Sequence, residues 1–170
     1  MDDLHRAIIG CVGSGKTFSC QQTAREFYAA GVGVLVLHKP REPWPVASWQ
    51  TDDVERFKRM YWAAKRCACF MELADADVNK YDDDFVRMFT LGRHEGHRNF
   101  FISQYGQQVN RVIRMNCSSL ALFATGRTAA KAWAEEFNDE ELLKACQLPP
   151  RWFYLKRSRY EPARLVTLSA

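Results

Sequence analysis

The chain has 170 residues, 47% hydrophobic and 26% charged, the balance of an ordinary globular domain long enough to bury a core without metals or disulfides. Its net charge of +4 is too mild to demand a nucleic-acid partner or to forbid one. No apolar run approaches the roughly 18 to 20 residues that cross a bilayer, and Met1 to Arg6 carries two acids before the first strand, so neither a membrane span nor a signal peptide is expected.

In chain order, Arg6 to Ile9 is a short apolar strand stopping at Gly10, and Thr17 to Ala30 is a helix closed by Gly31. Val32 to His38 is a nearly continuous apolar run, as in a strand buried on both faces of a parallel sheet. Lys39 to Gln50, with three prolines and two tryptophans, reads as a loop, and Asp52 to Ala64 as a helix. A second buried strand, Cys67 to Met71, closes on Glu72. Then follow a helix (Asp82–Leu91), a strand (Asn99–Gln104), a short helix (Val109–Met115), a strand (Ser119–Thr125) and two helices (Thr128–Phe137, Asp139–Cys146). Past Pro149-Pro150, the segments Trp152–Lys156 and Arg164–Leu168 alternate about a turn at Glu161-Pro162, the pattern of a terminal hairpin. Strands alternating with helices predict one α/β domain over residues 1–170, with a mostly parallel central sheet in three layers. The six cysteines contain no CxxC pair and several fall in apolar strands, which reads as buried reduced thiols in a cytosol.

Gly10-Cys11-Val12-Gly13-Ser14-Gly15-Lys16-Thr17 satisfies G-x-x-x-x-G-K-[ST] in full, after a strand and at the start of a helix. Glycines let backbone N–H groups converge on phosphates at the positive end of the helix. Lys16 is expected at the β- and γ-phosphates and the Thr17 hydroxyl at Mg²⁺, which points to ATP or a close relative as ligand.

Such a loop usually works with an acid at the end of a neighbouring buried strand, often followed by a glutamate. Here Glu72 ends the strand and Leu73 follows, so the usual Asp-Glu pair is missing. Glu72 is the principal candidate for the magnesium shell or for catalysis; in the second role Met71 would occupy the metal position. Asp75 is a further candidate for magnesium. Asn79-Lys80-Tyr81-Asp82 spells the guanine-reading N-K-x-D, but it directly follows the acid-bearing strand and no D-x-x-G precedes it, so it is read as coincidence and ATP is preferred to GTP. Gln104, at the carboxyl end of a strand, is suited to sense a γ-phosphate or position water. His94 and His97 lack convincing partners for a metal. The tail Arg151 to Arg164 mixes Arg151, Lys156, Arg157, Arg159 and Arg164 with Trp152, Phe153, Tyr154 and Tyr160. That composition suits either DNA contact or a hairpin with one core face.

From Cys67 to Phe123 the order grows more specific: an acid-ended strand, a helix leading to Arg93-His94, a strand ending in Gln104, then Asn116 before a strand ending in Phe123. This resembles the FtsK–HerA superfamily of DNA-pumping P-loop ATPases, above all the genome-packaging ATPases of tailless, internal-membrane phages, over roughly residues 6–125. The resemblance implies a RecA-like (ASCE) P-loop fold with a C-terminal hairpin, and a ring, expected to be a hexamer, that hydrolyses ATP with Mg²⁺ and drives double-stranded DNA into a preformed capsid. It implies Lys16, Glu72 and Gln104 as catalytic residues and Arg93 as an arginine finger in a neighbour's site, with Arg111, Arg114 and Arg127 as alternatives. It also implies a location in host cytoplasm or at a virion's packaging vertex, beside capsid or membrane-associated partners. The rival readings are a small-molecule kinase, which would need a lid after Asn116 where a strand is expected, and a non-hydrolysing assembly factor, which the altered acidic site keeps open.

Overall fold

The expected strands and helices form at nearly the expected bounds. A computed structural model describes residues 5–38, 43–72, 83–104, 106 and 109–169. The strands are β1 (His5–Ile9), β2 (Val34–Leu37), β3 (Trp49–Thr51), β4 (Ala68–Glu72), β5 (Arg98–Ser103), β6 (Cys117–Phe123), β7 (Trp152–Lys156) and β8 (Arg164–Thr167). They lie side by side in one sheet in the order β3-β2-β4-β5-β1-β6-β7-β8. From β3 to β6 every pairing is parallel; β7 and β8 join antiparallel, as the terminal hairpin.

Two-residue alternation divides each inner strand between two cores. Ile8, Val34, Val36, Ala68, Phe70, Phe100 and Ile102 face one side, where α1 (Lys16–Ala29) covers them with Cys20 and Ala24. Ala7, Ile9, Leu35, Leu37, Cys69, Met71 and Phe101 face the other, under α2 (Val54–Ala63), α3 (Asp83–Leu91), α4 (Arg111–Asn116) and α5 (Arg127–Phe137). Three layers result, as the alternation of elements predicts. The cysteines are free; Cys20, Cys67, Cys69 and Cys117 are buried, whereas Cys11 and Cys146 are exposed.

Two local features differ from expectation. β3 lies in the stretch read as a loop. Its three residues carry no hydrophobic period, and it exists because Ser48 is tied to Val34, its N–H to the carbonyl (2.9 Å) and its Oγ accepting the Val34 N–H (3.0 Å). The segment Glu140–Gln147 is a 3-10 helix, opened by Asp139 accepting the Glu141 N–H.

A buried polar network fixes the turn before β5. The Tyr61 hydroxyl bonds the Met88 carbonyl and Asn99, at 3.1 Å each, and Asn99 also donates to the Met88 carbonyl. His97 is fully buried; its Nδ1 accepts the Cys67 N–H and its Nε2 faces the Tyr61 carbonyl at 2.9 Å, so Nε2 carries the proton. Burial holds the His97 pKa below its ordinary 6.5. On acidification the unfolded chain therefore takes up this proton first, and stability is lost as pH falls below about 6.5 toward the folded value. The urea midpoint is expected to drop between pH 7.5 and 5.5, and His97→Gln, which cannot be protonated, is expected to flatten that dependence.

Candidate nucleotide-binding site

β1 ends where its neighbours end, and the loop is pinned to both of them. The Gly10 N–H donates to the Ser103 carbonyl at the end of β5 (3.2 Å), and the Cys11 N–H to the Ala124 carbonyl just past β6 (2.8 Å). A Cβ on Gly10 would lie 2.5 Å from the Phe123 Cβ and 2.9 Å from the Ser14 Oγ, so only glycine fits this crossing. Gly13 (φ 74°) and Gly15 (φ 106°) take left-handed conformations that a side chain would strain.

The loop bears the marks of an anion cradle. α1 opens at Gly15 with no side-chain cap and no acid in its first turn, leaving its leading N–H groups for a ligand. The Ser14 hydroxyl is buried and lacks a hydrogen-bond partner among the described residues. Lys16 is buried, and its ammonium folds back to the Cys11 carbonyl at 2.7 Å. Burial lowers the Lys16 pKa, with the Glu72 carboxylate pulling the other way. A triphosphate suits this donor set: an orphaned hydroxyl, uncapped amides and a buried lysine.

Glu72 continues the alternation of Ala68 and Phe70 and therefore faces the α1 side, toward the loop. Met71 is fully buried in the opposite core, which denies it access to a metal beside Thr17. The Glu72 carboxylate meets His38 Nδ1 at 2.8 Å, off the line of a good hydrogen bond. His38 escaped the sequence reading because it only closes an apolar run; β2–β4 register sets it beside Glu72. Asp75, Asp77 and the Asn79–Asp82 tetrapeptide lie outside the described residues.

β5 runs between β4 and β1, with Glu72 level with Ile102 and Ser103 level with Ile9. Gln104, half-buried, thus begins beside Gly10, on the same edge as Glu72 and the loop. Arg93 stands at the other end. It is exposed on a 3-10 turn (Gly92–Glu95) before β5, about 20 Å of strand away from Gln104. That turn is braced: a Cβ on Gly92 would run into the Tyr61 hydroxyl, and Glu95 pairs with Lys65. His97 has both ring nitrogens engaged inside the fold, which removes it as a metal ligand beside His94. α4, carrying Arg111 and Arg114, feeds directly into the start of β6, whereas Arg127 opens α5 on the loop's edge.

The basic, aromatic tail is largely occupied with structure. Phe153 and Tyr154 are buried, and Lys156 is buried against Asp139 at 2.8 Å. Arg159 donates to the carbonyls of Arg114 (2.9 Å), Cys117 (3.1 Å) and Glu136 (2.8 Å), stapling the ends of α4 and α5. Arg157, Tyr160 and Arg164 stay exposed.

No protein-family model and no curated protein sequence matches the chain. Solved structures do. The genome packaging NTPase B204 of Sulfolobus turreted icosahedral virus 2, in complex with AMPPCP, superposes with a TM-score of 0.79 at 12% identity, covering 96% of each chain. The fold is that of P-loop NTPases. The N-terminal domain of zonular occludens toxin from Neisseria meningitidis follows at TM-score 0.59, 14% identity and 98% and 94% coverage. The conjugation coupling protein TcpA of pCW3, with ATPγS, gives 0.69 at 15% identity, over 98% of this chain and 60% of TcpA. The resemblance to FtsK–HerA P-loop ATPases therefore holds at the level of the fold.

In this P-loop NTPase fold Ser14→Ala removes an orphaned buried hydroxyl. The unliganded protein is expected to be as stable or slightly more so, by up to about 1 kcal/mol, while the stabilisation given by Mg-ATP shrinks. Differential scanning fluorimetry with and without nucleotide reads both. Gly10→Ala is expected to cost about 1–3 kcal/mol through overpacking and to abolish the nucleotide-dependent shift.

Proposed function

We propose that the chain is an ATP-hydrolysing translocase that packages double-stranded DNA into a preformed viral capsid. The observation that carries this reading is the likeness to a genome packaging NTPase over nearly the whole of both chains. In this reading the chain is one ATPase domain. Copies form a closed ring, a hexamer, at a capsid's packaging vertex or in the host cytoplasm, beside capsid or membrane-associated partners.

Each residue takes a part in this reading. The loop from Gly10 to Thr17 holds the triphosphate by its amides, and Lys16 swings from the Cys11 carbonyl to the β- and γ-phosphates. Thr17 and Glu72 hold Mg²⁺, with Asp75 as a further candidate ligand; the ion would neutralise phosphate charge as the terminal bond breaks. His38 steadies Glu72, and Gln104 orients the attacking water in line with the γ-phosphate. The products are ADP and phosphate. Arg93, on the edge away from its own loop, serves a neighbour's site, where an arginine stabilises charge on the departing phosphoryl group. A site completed across a border couples hydrolysis in one subunit to motion in the next.

The kinase reading loses ground because residues after Asn116 enter β6 directly, leaving no lid there. The non-hydrolysing reading draws on the altered acidic site, where Leu73 follows Glu72 in place of a second acid and Glu72 meets His38 of the neighbouring strand.

Phosphate release from ATP is expected to rise with protein concentration and with double-stranded DNA, and to vanish in Lys16→Ala and in Arg93→Ala. Mixing the two inactive variants is expected to restore part of the activity, since a mixed ring juxtaposes an intact loop with an intact finger. No recovery on mixing, or turnover surviving Arg93→Ala, would remove Arg93 from the mechanism. Glu72→Gln is expected to lower turnover by at least about 100-fold with ATP binding retained. His38→Ala is expected to lower it by a smaller factor, as for an outer partner of a metal site.

A further inference from the structure

The strap that leads into β7 is drawn against the phosphate loop. The Arg151 N–H donates to the Ser14 carbonyl at 3.0 Å, and the Arg151 carbonyl accepts the Leu168 N–H at 2.9 Å. A Cβ built on Gly15 would lie 3.6 Å from the Arg151 Cα and 3.0 Å from Leu168 Cδ1. Residue 151 therefore touches the first turn of α1 through its backbone, in a left-handed conformation (φ 70°) that glycine or asparagine would adopt with less strain. An arginine stands there nonetheless, exposed, with its guanidinium 5.4 Å from the ring centroid of Phe18, the residue after Thr17.

The direction of the triphosphate follows from the edge already described. In the proposed reading Glu72 and Gln104 attend the γ end; both lie on the β4–β5 side of the loop. The α-phosphate and the nucleoside then leave on the other flank, toward β6 and β7, where the Arg151 guanidinium, backed by the Phe18 ring, presents a flat face. A planar cation and an aromatic ring recognise a nucleobase by stacking, and that recognition grows with the area of the base rather than with its hydrogen-bond pattern.

We propose that Arg151 is the nucleobase contact of this site: its guanidinium lies on the face of a bound purine, braced by Phe18 and by the backbone hook to Ser14. The proposal rests on the nucleotide reading of the loop and deepens it, since it gives a preference for purine over pyrimidine nucleotides and puts the specificity on the strap before β7.

The test separates base from phosphate. Calorimetric titration with ATP, CTP and inorganic tripolyphosphate, each with Mg²⁺, is applied to the wild type, Arg151→Gly, Arg151→Lys and Lys16→Ala. Arg151→Gly keeps the left-handed backbone, and a melting curve for each variant verifies the fold. Both Arg151 variants are expected to bind ATP about tenfold more weakly, to bind tripolyphosphate as the wild type does, and to lose most of the preference for ATP over CTP. Equal weakening of ATP and tripolyphosphate would make Arg151 a phosphate ligand and overturn the proposal, as would unchanged ATP binding in Arg151→Gly. Retention of ATP affinity in Arg151→Lys alone would trace the effect to charge and overturn it too. Lys16→Ala is expected to lose all three ligands. A wild type that binds none of them would overturn the nucleotide reading itself, a result distinct from any failure of Arg151.

Discussion

Three strands must end together around one glycine. Gly10 is the crossing point: its N–H goes to the end of β5, the next N–H goes to the end of β6, and its missing side chain leaves space that Phe123 and Ser14 occupy. Because the loop is tied on both sides, the first turn of α1 has one direction relative to the sheet, and Lys16 and Thr17 rise from that turn. The acid and the glutamine reach the same edge only because β4 and β5 are in register with β1. A slip of one residue in β4 would turn Glu72 into the opposite core and bring Met71 to the loop.

The two ends of β5 carry different chemistry. Its carboxyl end adjoins the loop; its amino end carries the turn of Arg93, held by Tyr61, Asn99 and His97. Burying this much polar surface is stabilising only when each group is satisfied, and here the tyrosine, the asparagine and the histidine interlock. The outcome is an exposed arginine on a rigid support, on the side of the molecule facing away from its own phosphate loop. That separation is the geometric reason for reading the site as shared between subunits.

The cationic residues show how little a charge count says about partners. Lys156 neutralises Asp139 inside the fold, and Arg159 closes the carbonyl ends of two helices while its guanidinium lies 4.6 Å over the Phe137 ring. Arg151 is committed to the flank of the loop. Helix ends and buried carboxylates draw on the same side chains that a phosphate backbone would. Arg157, Tyr160 and Arg164 are left exposed in the tail.

The sequence by itself determined the phosphate loop, the alternation of strands and helices, the parallel sheet and the terminal hairpin. These rest on local physics: glycine where the backbone must turn left-handed, apolar runs where a strand is covered twice, and period-two patterning where one face is open. Glu72 and Gln104 stood out as candidates for the same reason, as polar residues ending apolar strands. Tertiary structure alone decided the rest. The pairing of His38 with Glu72, the three-residue strand β3, the bracing of Arg93 from a helix more than thirty residues earlier (Tyr61) and the hook from Arg151 to Ser14 all join residues distant in the chain. Local sequence carries no period or motif for such contacts, because each is set by the register of strands and the path of a returning segment.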